Sequence, residues 1–172
     1  MKLLMVSDIH GDFKSLEKVL KNENFDRLVV LGDLFSYGKI ILDLNNNEII
    51  KLLKKYKDKL ILIRGNCDYF IDYEKIGLYA NDIITIRANN HDITLTHGNR
   101  YYRGFMPDFH GDIFASGHTH IPSIIKERDI IYINPGSIGL PRSGSQKSYL
   151  VFDDNYIEIK TIDGVLEKRM NI

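Results

Sequence analysis

Apolar residues along this chain fall into two regimes. In the first half, short apolar runs alternate with stretches whose apolar residues recur at helical spacing. Residues 3–7, 28–31 and 60–63 read as buried strands. Between them, 12–21 places Phe13, Leu16, Val19 and Leu20 on one helical face, and 45–56 does the same with Ile49, Leu52, Leu53 and Tyr56. The Asn run that opens the second stretch suits a helix cap. Strands alternating with helices predict parallel pairing through right-handed crossovers.

From about residue 82 the pattern changes to short strands joined by tight turns. Segments 82–87 and 92–96 flank Asn89-Asn90, and 121–127 and 130–133 flank Arg128-Asp129. Segments 149–152 and 156–162 flank Asp153-Asp154-Asn155, and Asp163-Gly164 leads into 165–168. No linker, repeat or low-complexity segment interrupts the chain. The expectation is one α/β domain over residues 1–172, with two mixed sheets packed face to face and helices outside.

Composition narrows the classes. A chain of 172 residues with 44% hydrophobic and 27% charged positions has ordinary soluble-globular values and length enough for a substantial core. Its 23 basic residues equal its 23 acidic ones, which argues against a broad nucleic-acid footprint while allowing a local positive site. A lone cysteine, Cys67, excludes an intrachain disulfide framework. The apolar run at the start meets Asp8 too soon for a signal peptide, and no stretch approaches the ~20 residues that span a bilayer. A soluble cytoplasmic protein is expected, with no membrane partner; a homo-oligomer is allowed.

The chemistry lies in five islands rich in Asp, His and Asn, each placed where an apolar run ends. They are Ser7-Asp8-Ile9-His10-Gly11-Asp12, Leu31-Gly32-Asp33, Arg64-Gly65-Asn66-Cys67-Asp68, Thr96-His97-Gly98-Asn99 and Gly117-His118-Thr119-His120. In open α/β sheets, side chains beyond the carboxyl ends of strands converge on one crevice. Seven oxygen and imidazole donors delivered there read as a site for two metal ions. If the segments are extended, Asp8-x-His10 and His118-x-His120 each point two donors the same way. Taken singly, each island has a plainer reading: Asp8 as a cap, Gly32-Asp33 as a turn, Asn66 as an Asx-turn, the histidines as satisfied strand ends. The order D-x-H, G-D, G-N-x-D, H-G, G-H-x-H is what sets the chain apart.

That order resembles the calcineurin-like metallophosphoesterases, and most of all their small single-domain branch, the YfcE-type phosphodiesterases. The resemblance runs from Asp8 through Asn134-Pro135-Gly136-Ser137 to the final strands. It implies a four-layer α/β/β/α sandwich of two mixed β-sheets flanked by helices, with a dinuclear metal centre. By that resemblance Asp8, His10 and His120 hold one ion, Asn66, His97 and His118 hold the other, and Asp33 bridges them. Asp33, Asn66 and His97 are the implied catalytic residues, and a hydroxide between the ions is the implied nucleophile. Two divalent ions bring four positive charges against two anionic ligands, Asp8 and Asp33, so the centre attracts a small phosphate ester. Mixed nitrogen and oxygen donors place Mn²⁺ first, with Ni²⁺, Fe²⁺, Zn²⁺, Co²⁺ and Mg²⁺ as alternatives.

Around this set, Arg100 and Cys67 are candidate substrate contacts. Arg offers a planar fork to phosphate oxygens, and Tyr101 or Tyr102 a face for a base or phenol. Arg103 follows closely, and a solvated loop is the plainer reading for each of these residues. Gly136-Ser137 and Pro141-Arg142-Ser143-Gly144 form a Gly-rich, basic segment that is a candidate lining of the pocket; His110 reads as a surface residue before a proton donor, and His91 as structural or exposed. Asp68 either orients a ligand or completes a turn. A phosphodiesterase is the first expectation, a phosphomonoesterase or nucleotidase on the same centre the second. A binding scaffold of the same fold ranks last, because all seven donors are present.

Many relatives carry histidine where this chain has Cys67, and a thiol of reference pKa ~8.5 is a poorer general acid than imidazole near neutrality. Weak protonation of the leaving group predicts that esters of acidic alcohols and phenols turn over fastest. A leaving-group series checks this, and rates independent of leaving-group pKa would contradict it.

Overall fold

The computed structural model describes residues 1–35, 44–77, 79–108 and 110–172. Three short parallel strands, β1 (Leu3–Val6), β2 (Arg27–Val30) and β3 (Leu60–Leu62), are linked by helices α1 (Phe13–Asn22) and α2 (Leu44–Lys54). After β3 comes a third helix, α3 (Phe70–Ile76), which the apolar spacing did not predict. The remaining strands are β4 (Ile83–Ala88), β5 (His91–Thr96), β6 (Ile113–Ala115), β7 (Ser123–Glu127), β8 (Ile130–Asn134), β9 (Ser148–Asp153), β10 (Tyr156–Thr161) and β11 (Leu166–Asn171).

They form a six-stranded sheet in the order β11-β10-β9-β1-β2-β3 and a five-stranded sheet in the order β4-β5-β6-β8-β7. Both sheets are mixed. The pairs β1–β2, β2–β3, β5–β6 and β6–β8 are parallel and the rest antiparallel. This is the two-sheet α/β architecture expected from the sequence.

The central strand β1 is apolar at every position, and its neighbours nearly so, because both of their faces are buried. Leu4, Val6, Leu28, Val30, Leu62 and Val151 point to one side and meet Leu16, Val19 and Leu20 of α1, Ile49 and Leu53 of α2, and Tyr73 of α3. Their neighbours Leu3, Met5, Val29, Leu31, Leu150 and Phe152 point the other way, onto Ile93, Leu95, Ile113, Ala115, Ile131 and Ile133 of the second sheet. Among the described residues, all three helices lie against the six-stranded sheet. The outer face of the five-stranded sheet is met by the irregular connection between β5 and β6, whose Gly111 amide donates to Thr94 Oγ1 at 2.8 Å.

Local signals explain the elements. Asp12 caps α1, its carboxylate accepting from the Ser15 amide at 3.1 Å. The Asn run expected to cap α2 lies inside it: the helix is described from Leu44, so Asn45, Asn46 and Asn47 occupy its first turn, and Asn46 is buried. Asn89 and Asn90 both take left-handed φ, 50° and 66°, as a two-residue hairpin turn requires.

Register places the functional islands. Val6 pairs with Val30, Val30 with Leu62, and Leu95 with Ala115, so the parallel strands of each sheet end level with one another. Truncating the inter-sheet core tests its contribution. Leu150→Ala should destabilise by about 2–5 kcal/mol, read as a lower urea midpoint at unchanged m.

Candidate metal centre

Each island leaves its strand and turns at once. Asp8, His10, Asp33, His118 and His120 have φ of 52°, 46°, 54°, 64° and 62°, all in the left-handed region. Asp and His tolerate that region better than most residues, but each such residue still costs on the order of 1–3 kcal/mol. This overturns one expectation. Asp8-x-His10 and His118-x-His120 are not extended segments; their donors converge because the backbone reverses hand at both members of each pair.

Backbone hydrogen bonds hold these turns against one another. The Asp8 amide donates to Gly32 O at 3.1 Å, Ile9 N and His10 N donate to Asp33 O at 2.9 and 3.1 Å, and Gly117 N donates to His97 O at 2.7 Å. Glycine is required where they touch. A Cβ at Gly117 would lie 1.9 Å from Ser7 Oγ, and one at Gly32 would lie 2.5 Å from Gly65 N.

The side chains then meet as acceptors. His97 Nδ1 stands 2.7 Å from Leu31 O, and His120 Nδ1 bonds Leu140 O. A carbonyl only accepts, so both Nδ1 atoms carry hydrogen and both Nε2 atoms face the crevice, where they ligate in the neutral form; against its burial, the Asp33 carboxylate raises the pKa of His97. There His97 Nε2 is 3.1 Å from Asn66 Oδ1 and 3.5 Å from Asp33 Oδ2. On the other side His120 Nε2 is 3.2 Å from Asp8 Oδ1, with His10 Nε2 at 3.9 Å from that same oxygen. Asp33 Oδ2 joins the two groups, lying 3.7 Å from His10 Nε2.

Asp8 Oδ1 is buried and accepts no hydrogen bond from the described residues, whereas Asp8 Oδ2 takes Ser7 Oγ at 2.7 Å and the His118 amide at 3.0 Å. An orphaned buried carboxylate oxygen facing imidazole nitrogens is costly unless a cation sits between them. This donor set therefore fits divalent metal ions.

Protonation follows the same geometry. Burial lowers the pKa of His10 and, helped by neighbouring His97, that of His118, so both tend to the neutral form that ligates. Burial opposes ionisation of Asp33, yet His97 and the Cys67 amide outweigh it and hold its carboxyl down to about 2. Burial raises Asp8, and burial with the nearby Asp33 carboxylate pushes the Cys67 thiol up to about 12.

Of the nine residues singled out in the sequence, eight gather here. Asp8, His10, Asp33, Cys67, His97 and His120 fall into three overlapping groups whose candidate ligand atoms lie within 4.8 Å of one another. Asn66 joins through His97, and the His118 ring stands edge-on to His97 at 5.1 Å. Arg100 stands apart. It lines a cleft of about 460 Å³ beside Asn66, together with Arg64, Asp82, Asn99 and Tyr101. His110 is exposed, and His91 pairs with Asp112 remote from the crevice.

Sequence reasoning missed several supports. Ser7 fixes Asp8, and the Asn134 amide donates to Gly117 O at 2.8 Å and Thr119 Oγ1 at 3.1 Å, bracing the turn between His118 and His120. Ser137 donates to Asp8 O at 2.7 Å, so it buttresses the crevice from behind and does not line it. Arg64 was passed over although it directly precedes Gly65-Asn66. The Asp68 question is answered by its bonds. Its carboxylate accepts from the amides of Asp33, Leu34 and Gly65 at 2.7–2.8 Å and from the Tyr73 hydroxyl, tying the β2 and β3 tips together.

Comparison with known proteins agrees with this geometry. The family model for the calcineurin-like phosphoesterase superfamily domain matches residues 1–155. The chain is 29% identical over 167 residues to phosphodiesterase YfcE of Escherichia coli strain K12, covering 92% of this chain and 91% of that one. A solved structure described as Yfce, a phosphoesterase from E. coli, superposes with a TM-score of 0.89 at 27% identity, covering 99% and 98% of the two chains. The fold is shared more distantly with Vps29 from Entamoeba histolytica complexed with zinc, at a TM-score of 0.64 and 18% identity over 99% of each chain.

Replacing Asp68 tests the tie between strand tips. Asp68→Asn sets an NH₂ group against donors that need an acceptor, which should cost about 1–3 kcal/mol per orphaned amide. Metal affinity should fall on the order of 10–100-fold. Urea unfolding and metal titration by calorimetry read the two effects.

Proposed function

Because the chain belongs to the calcineurin-like phosphoesterase superfamily, we propose that its acceptor-lined crevice holds two divalent metal ions and hydrolyses phosphate diesters. The observation that carries this reading is Asp33 Oδ2, poised 3.7 Å from His10 Nε2 and 3.5 Å from His97 Nε2. It stands between the Asp8, His10 and His120 group on one side and the Asn66 and His97 group on the other. In this assignment Asp8, His10 and His120 would hold one ion, Asn66, His97 and His118 would hold the other, and Asp33 would serve both.

When bound, such a pair supplies Lewis acidity toward phosphoryl oxygens and an activated water for in-line displacement. The residues of the chain do the rest. Leu31 O and Leu140 O fix the imidazole tautomers, and Ser7 and the His118 amide hold one Asp8 oxygen so that the other faces inward. Asn66 and the cleft beside it receive the ester. Neutral imidazole and amide donors leave Asp8 and Asp33 as the only anionic ligands, which keeps the occupied centre net positive. Mn²⁺ is the first choice for such mixed donors.

Diesters are favoured because the crevice opens into a cleft able to take a substituent on the phosphate, and a relative of similar length bears the name phosphodiesterase. The proposal extends to a small phosphate ester as partner and the cytoplasm as location, in keeping with the single free cysteine. No helix among the described residues is long and apolar enough to cross a membrane.

Paired assays of bis(p-nitrophenyl) phosphate and p-nitrophenyl phosphate with added Mn²⁺ test the reading. The diester should turn over faster, and monoester preference would reject the diester assignment. Asp33→Ala and His118→Ala should abolish turnover with little unfolding, and Asp8→Asn should weaken metal binding. Wild-type activity in the first two, or wild-type metal affinity in the third, would refute that residue's role.

A further inference from the structure

The cleft beside Asn66 contains a charge arrangement that metal binding does not use. Two guanidinium groups share one carboxylate there. Arg64 is the fixed partner. Its Nε and Nη2 both donate to Asp82 Oδ1, the Nε at 2.8 Å, and its guanidinium carbon lies 4.5 Å from the centre of the Phe70 ring. Its side chain is only 24% exposed. Arg100 is the loose partner, 68% exposed, with Nη1 at 3.6 Å from Asp82 Oδ2. That separation is an ion pair but too long for a hydrogen bond.

Asp68 also borders the cleft, but its oxygens are occupied by three backbone amides and the Tyr73 hydroxyl. Among the described residues that line the cleft, Asp82 is the carboxylate paired with the two arginines, and Arg100 is the guanidinium it holds by the weaker contact. A phosphate entering there can take Arg100 from Asp82 at small cost, because an exposed ion pair is worth only about 0–1 kcal/mol. In return it gains a charge-assisted, two-pronged contact, the geometry for which guanidinium is suited. Arg64 cannot swing away, since its edge and its face are both engaged.

Resting on the phosphodiesterase reading, we propose that this cleft is a subsite for a second phosphate carried by one ester substituent of the substrate. Arg100 is the arm that grips it, and Asp82 is the specificity-determining residue that competes with it. The substrate class becomes a phosphodiester that bears a further phosphomonoester, as opposed to a diester with neutral substituents. Tyr101 and Asn99, which also line the cleft, give the linking group a ring face and an amide to meet.

The test compares thymidine 5′-(p-nitrophenyl phosphate) with the same ester phosphorylated at the 3′ position, in wild-type protein loaded with Mn²⁺. Both release p-nitrophenol at the same bond, so the ratio of their kcat/KM values isolates the second phosphate. The phosphorylated ester should be preferred on the order of tenfold, and added salt should erode that preference. Arg100→Gln should bring the ratio to about one. Asp82→Asn, which removes the competing carboxylate, should raise it above wild type. Both substrates are read on one preparation, so a poorly folded variant lowers both rates and leaves the ratio interpretable. Equal turnover in the wild type, a ratio below one, or a preference that survives Arg100→Gln would overturn the subsite alone. Turnover of neither diester would overturn the phosphodiesterase reading and the subsite with it.

Discussion

The structure turns on a concentration of carboxylate, amide and imidazole ligand atoms drawn into one crevice. Asp8 Oδ1, Asp33 Oδ2, Asn66 Oδ1 and the Nε2 atoms of His97 and His120 repel one another wherever no cation or proton lies between them. Something other than their own attraction must bring them together. The backbone does so, through five left-handed residues whose combined strain is comparable to the whole stability of a typical domain, about 5–15 kcal/mol. The turns persist because each is bonded to another turn, Asp8 to Gly32, His10 to Asp33, Gly117 to His97, and because the strands beneath them are anchored in two apolar layers. A ligand that binds this arrangement and not the unfolded chain returns stability by mass action.

Much of this was legible in the sequence for a physical reason. Buried parallel strands must be apolar at successive positions, so a polar island at their ends is conspicuous, and every candidate ligand was found that way. What escaped were features with no periodic or compositional mark. Helix α3 is seven residues long and exposes Phe70 and Ile71, so it shows no apolar stripe. The left-handed turns at Asp8 and His10 follow from tertiary bonds to Gly32 and Asp33, and an i, i+2 spacing alone suggests the wrong backbone. The supports Ser7 and Asn134 are single polar residues whose meaning lies in the partner across the fold. Arg64 stood in plain view beside Gly65-Asn66, but its partner Asp82 arrives from another segment, and without it the arginine has no assigned direction.

Overall neutrality also hides a local polarity. The 23 basic and 23 acidic residues cancel in sum, yet the anionic ligands are confined to Asp8 and Asp33, and three arginines stand around the crevice. Arg64 and Arg100 lie on the Asn66 side, while the charge of Arg142 is felt by His118 on the other. With divalent cations bound as proposed, the crevice would become a positive site on a neutral body, attracting a small anion without the non-specific adhesion that a basic surface would bring.

The distribution of donors between the sheets has a further consequence. Asp8, His10, Asp33 and Asn66 follow strands of the six-stranded sheet, whereas His97, His118 and His120 follow strands of the five-stranded one. Both carboxylates therefore come from one sheet, and all but one of the imidazoles from the other. Neither sheet alone presents a complete set. Packing of Leu31, Met5 and Leu150 against Leu95, Ala115 and Ile133 sets the distance across the crevice. Interiors packed at crystal-like density yield little to a shift of this kind. A bound cation and the apolar interface would then hold the same two sheets together, one at the rim and one beneath it.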